Sequence, residues 1–274
     1  MDSFVYSRAQ LLSRDETDAS IRRRVRNRTL DALRPGWFAR PDADPDVVAA
    51  VRRGGAMSCV SALRRYGFWV APGYCSLHVR ASRHHQHLRR DYCRPPGRPL
   101  PVTAAVDPIA LALVCAAGCM SEDDWIAVTD SVANTTKTSI ADLAAQLPVS
   151  NRRIEKMLTK CDARAQSGTE SIARVRLRAR GFHVVIQPAV RDVGLVDLRL
   201  GRLIIECDSE MHHTSLANYR NDRRRDRKSV VQQLLPMRLT YDDVLYGWDE
   251  VLEDIVAVTD RDRHRIRNRA PADD

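Results

Sequence analysis

Residues 194–208 read GLVDLRLGRLIIECD. Apolar residues alternate on either side of Gly201-Arg202, a pattern that predicts a β-hairpin. Glycine at the first of two loop positions suits a type II′ turn, and that loop sets the register. Leu200 then opposes Leu203, Leu198 opposes Ile205, and Val196 opposes Cys207, so six residues share one apolar face. On the other face Asp197 falls opposite Glu206, with Cβ atoms about 4.5–5.5 Å apart. Asp208 is two residues further on and shares that face.

Like charges directly opposite one another destabilise a hairpin. Three arrangements relieve the repulsion: a proton on one carboxylate, a basic side chain reaching in (Arg199 or Arg223), or a divalent cation between the acids. Mg²⁺ takes one or two carboxylates and fills its other positions with water and substrate phosphate. A cation so held can polarise a phosphate and acidify an attacking water. The chain has a net charge of +9, which suits an anionic partner. The alternative is an exposed acidic strand pair balanced by nearby arginines. The convergence of the acids behind an apolar face favours the cation.

The surrounding sequence adds a resemblance. An aspartate before a hairpin and a Glu-x-Asp strand end resemble the core of the PD-(D/E)XK nuclease superfamily. IIECDSEMHH (204–213) followed by YRNDRRRDRK (219–228) is similar to the branch related to very-short-patch-repair endonucleases. SGTES (167–171) and MRLTYDDVL (237–245) fit the same branch, so the likeness covers about residues 165 to 258. It implies an α/β (α+β) restriction-endonuclease-like domain with a mixed sheet, using Mg²⁺ with Mn²⁺ as a substitute. Asp197 and Glu206 would be metal ligands, with the Cys207 backbone carbonyl as a third. Glu170 would be an auxiliary acid, although its place three residues after Ser167 also fits a capping box. Asp208 stands where the superfamily usually has lysine, and would orient a water or help hold a second metal. His212 or His213 would be general acid or base. Asp222, with Asp226 at i+4, would face the site, while Arg223, Arg224, Arg225, Arg227 and Lys228 would hold DNA phosphates. A solvated, salt-bridged helix is the alternative for that segment. Ser209 replaces the glycine expected of the branch.

The front of the chain carries a second pattern. Residues 4–13 read as a short helix, and a second begins near Asp18 with Ile21 and Val25 facing inward. Arg22, Arg23, Arg24, Arg26 and Arg28 cover its remaining surface. Pro35-Gly36 then turns between two short extended pieces. Helix, basic helix and hairpin is the order of a winged helix-turn-helix, whose second helix enters the DNA major groove. A solvated basic helix face is the plainer reading. This region resembles the winged-helix domain of AbiEi-type antitoxins.

Residues 46–68 predict two short helices broken at Gly54-Gly55. Cys75, His78, His84, His85, His87 and Cys93 follow, but their spacing matches no zinc pattern. SLHV (76–79) alternates like an exposed strand, so a basic surface strand and loop is expected. Residues 107–161 predict three or four small helices. SGTESIARVRLRARG (167–181) predicts a helix closed by Gly181, and FHVVIQPAV (182–190) a strand.

A chain of 274 residues has room for more than one core. The organisation expected is a winged-helix module (1–75), a basic and helical connecting region (76–163), a nuclease-like domain (164–260) and a frayed, charged tail (261–274). The longest apolar run, 109–120, is too short to span a bilayer, and the N-terminus has no signal-peptide pattern. Seven cysteines without a CxxC pair fit reduced thiols. A cytoplasmic protein with no membrane partner is expected. Its partner would be nucleic acid, DNA ahead of RNA, and a homodimer is compatible with the reading. The function expected is a metal-dependent endonuclease or nickase. The rival is a non-catalytic DNA-binding regulator with a degenerate nuclease fold.

Overall fold

The computed structural model of the chain describes residues 2–81, 91–208 and 216–260, without the side chains of 216–222 and 226. His84, His85, His87, Ser209, His212, His213, the side chains of Asp222 and Asp226, and the 261–274 tail therefore lie outside the described residues. The fold is mixed α/β with small sheets. Among the described residues no helix is long and apolar enough to cross a membrane. The chain divides into two compact units, Met1–Cys161 and Asp162–Asp274. Most of the segment expected as a connector thus belongs to the first unit.

The second unit is built on the opening hairpin. Leu203 pairs with Leu200 and Ile205 with Leu198, the register that the two-residue turn predicts. Gly201 takes φ +62°, as the first position of that turn requires. Strand Leu203–Cys207 also pairs in parallel with Leu235–Leu239, and helix Leu216–Val231 makes the crossover between them. On the other side Leu198–Leu200 pairs antiparallel with Val185–Ile186, completing a mixed four-stranded sheet. Helix Gly168–Ala179 precedes it, capped by the Ser167 hydroxyl, which accepts from the Glu170 N–H. After the sheet, Thr240 and Asp243 form a capping box at the start of helix Tyr241–Leu245.

Two expectations need correction here. The run 182–190 is two strands, Val185–Ile186 and Ala189–Val190. Gln187 takes φ +48° and Pro188 has no N–H to donate, so the ladder breaks and Ala189–Val190 pairs instead with Gly194–Leu195. The acid face of the hairpin is also less polar than the alternation implies. Ile204 is buried on it, in a cluster with Val190, Val193, Val196 and Leu234. Regular pairing of the first strand stops at Leu198, so Val196 is released to join that cluster.

The first unit opens with a strand, Val5–Ser7, where a helix was expected to begin. It pairs with Trp37–Ala39, which pairs in turn with Asp31–Arg34. Between them lie helices Arg8–Leu12 and Asp18–Arg26, both with capping boxes. Tyr6, Leu11, Ile21 and Leu30 form their small core, with Val25 packed against it. Helices Pro45–Arg52 and Cys59–Arg65 flank strand Gly55–Met57, and four further helices run from Ile109 to Leu158.

The expected surface strand is not at the surface. Val79–Ala81 pairs with Gly55–Met57 and all three of its residues are buried. A Cβ at Gly55 would lie 2.3 Å from the Arg80 carbonyl oxygen, so the close approach of these strands needs glycine there. Arg80 itself is 1% exposed. Its guanidinium donates to both Asp107 carboxylate oxygens at 2.6 and 2.7 Å and to the carbonyls of Leu100 and Pro101. Removing one partner of such a pair leaves an uncompensated buried charge. Asp107→Ala is expected to cost about 3–5 kcal/mol, read as a lower denaturation midpoint.

Candidate functional site

Four carboxylates line one open cleft of the second unit, with a volume of about 380 Å³: Glu170, Asp197, Glu206 and Asp208. Each arrives from a different local cause. The Ser167 cap starts the helix so that Glu170, three residues in, points back toward the sheet and is 1% exposed. Asp197 sits where the regular hairpin pairing ends, and its Oδ2 accepts from the Cys207 N–H at 2.8 Å. Glu206 is the penultimate residue of the central strand, and Asp208 follows that strand's end.

Gln187 ties two of the acids together. Its Nε2 donates to Glu170 Oε1 and to Asp197 Oδ1, both at 3.1 Å. Its own N–H donates to the Asp197 carbonyl at 2.9 Å. The left-handed backbone that breaks the 182–190 strand accompanies this placement. Glu170 Oε2 accepts from the Gln166 N–H at 2.8 Å. The Glu170 N–H serves the Ser167 cap, while its carboxylate belongs to the cleft.

A cation does reach in, from a residue not foreseen in that role. Arg225, on helix Leu216–Val231, places Nη2 2.6 Å from Glu206 Oε1 and 2.5 Å from the Leu195 carbonyl oxygen. Arg225, expected to hold a phosphate, is thus paired with an acid of the cleft. Arg199 instead turns back to the carbonyl of Gly201 at 2.6 Å. Arg223, Arg224, Arg227 and Lys228 are exposed. Arg238 lines the cleft from the parallel strand, as the register partner of Glu206.

Burial dominates the electrostatics. Desolvation pushes the Glu170 carboxyl up to about 7, with the neighbouring Asp197 charge adding to the rise. Glu206 is also pushed up to about 7 by burial, against the pull of Arg225, and Asp197 again raises it. Asp197 is raised by burial too, opposed by its hydrogen bonds from Cys207 and Gln187. One arginine does not restore ordinary acidity to this group. The cleft retains a demand for protons or for another cation.

The Gln187 amide favours the charged form of both acids that it touches. Gln187→Ala is expected to cost roughly 1.5–3 kcal/mol when those acids are ionised. The cost should be clearly smaller near pH 5, where Glu170 is protonated; urea denaturation at pH 5 and pH 8 measures the difference.

No protein-family model, curated protein or solved structure matches the chain.

What the cleft can do follows from its own atoms. Its donors are hard oxygens, suited to Mg²⁺ or Mn²⁺ rather than to a soft metal. Cys207, whose carbonyl is the third expected ligand, lines the same cleft. The sequence reading missed Gln187, the part played by Arg225, and Arg238. A polar residue before Pro188 in a β-branched run was a signal for the first. Nothing local marks Arg238, because only the parallel pairing brings it beside Glu206.

On the basic helix of the first unit, Arg22, Arg23, Arg26 and Arg28 are exposed. Arg24 departs from expectation: it is half-buried and pairs with Glu16 at 2.5 Å. Four of the five arginines remain on the open surface.

Proposed function

We propose that the second unit is a metal-dependent nuclease, an endonuclease or nickase with DNA favoured over RNA. The observation that carries this reading is the convergence of Glu170, Asp197, Glu206 and Asp208 on one cleft, with two carboxyls raised to about 7. The mixed sheet, the acids at the end of its central hairpin and the crossover helix support a restriction-endonuclease-like fold of the very-short-patch-repair branch. The strand, two capped helices and hairpin at the N-terminus support an AbiEi-like winged helix-turn-helix.

The donor set fits a divalent cation. Asp197 and Glu206 would hold it, with the Cys207 carbonyl as third ligand. Bound there, Mg²⁺ would supply Lewis-acid polarisation of a phosphodiester and acidification of water. The chain's own groups do the remaining work. Gln187 orients Asp197 by an amide hydrogen bond, and the Cys207 N–H fixes its second oxygen. Glu170, fully enclosed and raised to about 7, can exchange a proton at neutral pH. Arg225 and Arg238 place positive charge on the cleft wall, where the usual lysine is replaced by Asp208. His212 or His213 is proposed as a further proton carrier.

One observation favours the non-catalytic regulator. Arg225 already partners Glu206, as a scaffold that had lost its metal would require. Cleavage separates the two. The full chain would be incubated with supercoiled plasmid, mismatched duplex and single-stranded DNA in Mg²⁺, Mn²⁺ or EDTA. Metal-dependent nicking supports the nuclease; duplex binding without cleavage of any substrate supports the regulator.

The exposed arginines give a separate expectation. Changing Arg22, Arg23, Arg26 and Arg28 together to alanine should weaken duplex binding across sequences. Each phosphate that is no longer neutralised should reduce the log–log salt slope by about 0.9. Fluorescence anisotropy over a salt series checks it, and an unchanged slope would mean that this helix only faces solvent.

A further inference from the structure

Three cysteines and one histidine converge in the first unit, remote in sequence from the acidic cleft. The donor atoms of Cys59, His78, Cys93 and Cys119 all lie within 4.8 Å of one another. The Cys93 and Cys119 sulfurs are 3.6 Å apart, and His78 Nδ1 is 3.4 Å from the Cys93 sulfur. A tetrahedral zinc with bonds of about 2.3 Å to sulfur and 2.0–2.1 Å to nitrogen needs edges of roughly 3.8 Å and 3.5 Å. The two distances sit close to those edges before any ion is considered.

We propose that Cys59, His78, Cys93 and Cys119 form a structural zinc site. The donor set is three sulfurs and one imidazole, the closed four-ligand type that takes zinc and is unsuited to Mg²⁺. The four come from separate elements, so the cluster is tertiary in origin. Cys59 opens helix Cys59–Arg65, His78 immediately precedes strand Val79–Ala81, Cys93 lies beyond that strand, and Cys119 follows helix Ile109–Ala116. Backbone bonds hold two of them in place independently of their side chains. The Ser58 N–H donates to the His78 carbonyl, the His78 N–H to the Ser61 hydroxyl, and the Cys93 N–H to the Val79 carbonyl. Cys59 and Cys93 are buried, while Cys119 is the most open, giving the ion a way in.

The site would clip the Gly55–Met57 and Val79–Ala81 strand pair to the chain that leaves helix Ile109–Ala116. In such sites metal binding is itself folding free energy. The sequence hid it because no two ligands lie at a short motif spacing, and because Cys75, the more obvious partner of His78, is not part of the cluster.

The test uses the untagged full chain purified under reducing conditions. Elemental analysis is expected to find about one zinc per chain in wild type, Cys75→Ser and Cys161→Ser, and a loss in Cys93→Ser and Cys119→Ser. Cobalt replacement in the wild type should give the visible bands of a tetrahedral thiolate-ligated ion, a readout that does not depend on any variant folding. Stripping the zinc should lower the melting temperature by roughly 10 °C. Zinc no higher in wild type than in Cys119→Ser, or cobalt without tetrahedral bands, would overturn the proposal. So would a Cys93–Cys119 disulfide in the protein as isolated.

Discussion

Asp197→Asn is expected to abolish metal-dependent cleavage while leaving the fold intact. Loss of one ligand from a catalytic cation site removes several kcal/mol of transition-state stabilisation, or about a 1000-fold fall in nicking rate. Stability should move the other way. Burial raises Asp197 above the usual carboxylate range, so its charge is a burden to the folded state. Asparagine can still accept from the Cys207 N–H with its carbonyl oxygen, and it removes the repulsion felt by Glu170 and Glu206. The melting temperature in EDTA should therefore hold or rise. Plasmid nicking and thermal melts of the same preparation read both effects. Full activity in Asp197→Asn would remove this residue from the catalytic reading, and a collapse of stability would make its role structural.

A second large effect is expected in the pH dependence of stability without metal. Glu170 moves from a reference of 4.5 to about 7 on folding, and Glu206 does likewise. The folded state then binds more protons than the unfolded chain between those values. Their stabilisation is fully present below about pH 4.5 and is lost as pH rises through 7. For the fully enclosed Glu170 the loss is of the order of 3 kcal/mol. Glu206 should contribute less, because its side chain is 21% exposed and solvent screens its charge. In EDTA the protein should thus melt at a higher temperature near pH 5 than near pH 8. Mg²⁺ binds the ionised acids, so it should restore stability at the alkaline end and do little at the acid end. Melts over this range with and without Mg²⁺ measure both limbs. A flat profile in EDTA would mean that the cleft acids are not held near 7.

Both effects rest on local patterns that were legible to different degrees. The Gly201-Arg202 turn sets the register of Leu198–Leu200 against Leu203–Cys207 because side-chain alternation has a period of two, and a one-residue slip would put every leucine on the wrong face. The helix start at Ser167 was readable because a short polar side chain there could satisfy a free N–H. Asp197, Glu206 and Asp208 could be placed together from that turn alone. Glu170 could be named, but its burial could not be derived, because the enclosing surface comes from the sheet. The strand break at Gln187 was missed: Pro188 marks a break in the run, but nothing local shows that the residue before it will adopt a left-handed backbone and turn an amide into the cleft.

Short-range chemistry was legible in the residues alone: the hairpin, the helix capped by Ser167, the basic helix and the acids gathered near one turn. Tertiary structure decided which charges meet. Arg225 reaches Glu206, while Arg199 turns back to Gly201, because the crossover helix is docked by its parallel strands. Arg24 leaves the exposed basic face because Glu16 packs beside it. Val79–Ala81 is buried because a partner strand with glycine at position 55 lets it approach. Four soft donors far apart in the chain meet for the same reason. Hydrogen bonds within a turn or a cap depend on residues a few positions apart, whereas burial and charge pairing depend on which surfaces the whole chain brings together.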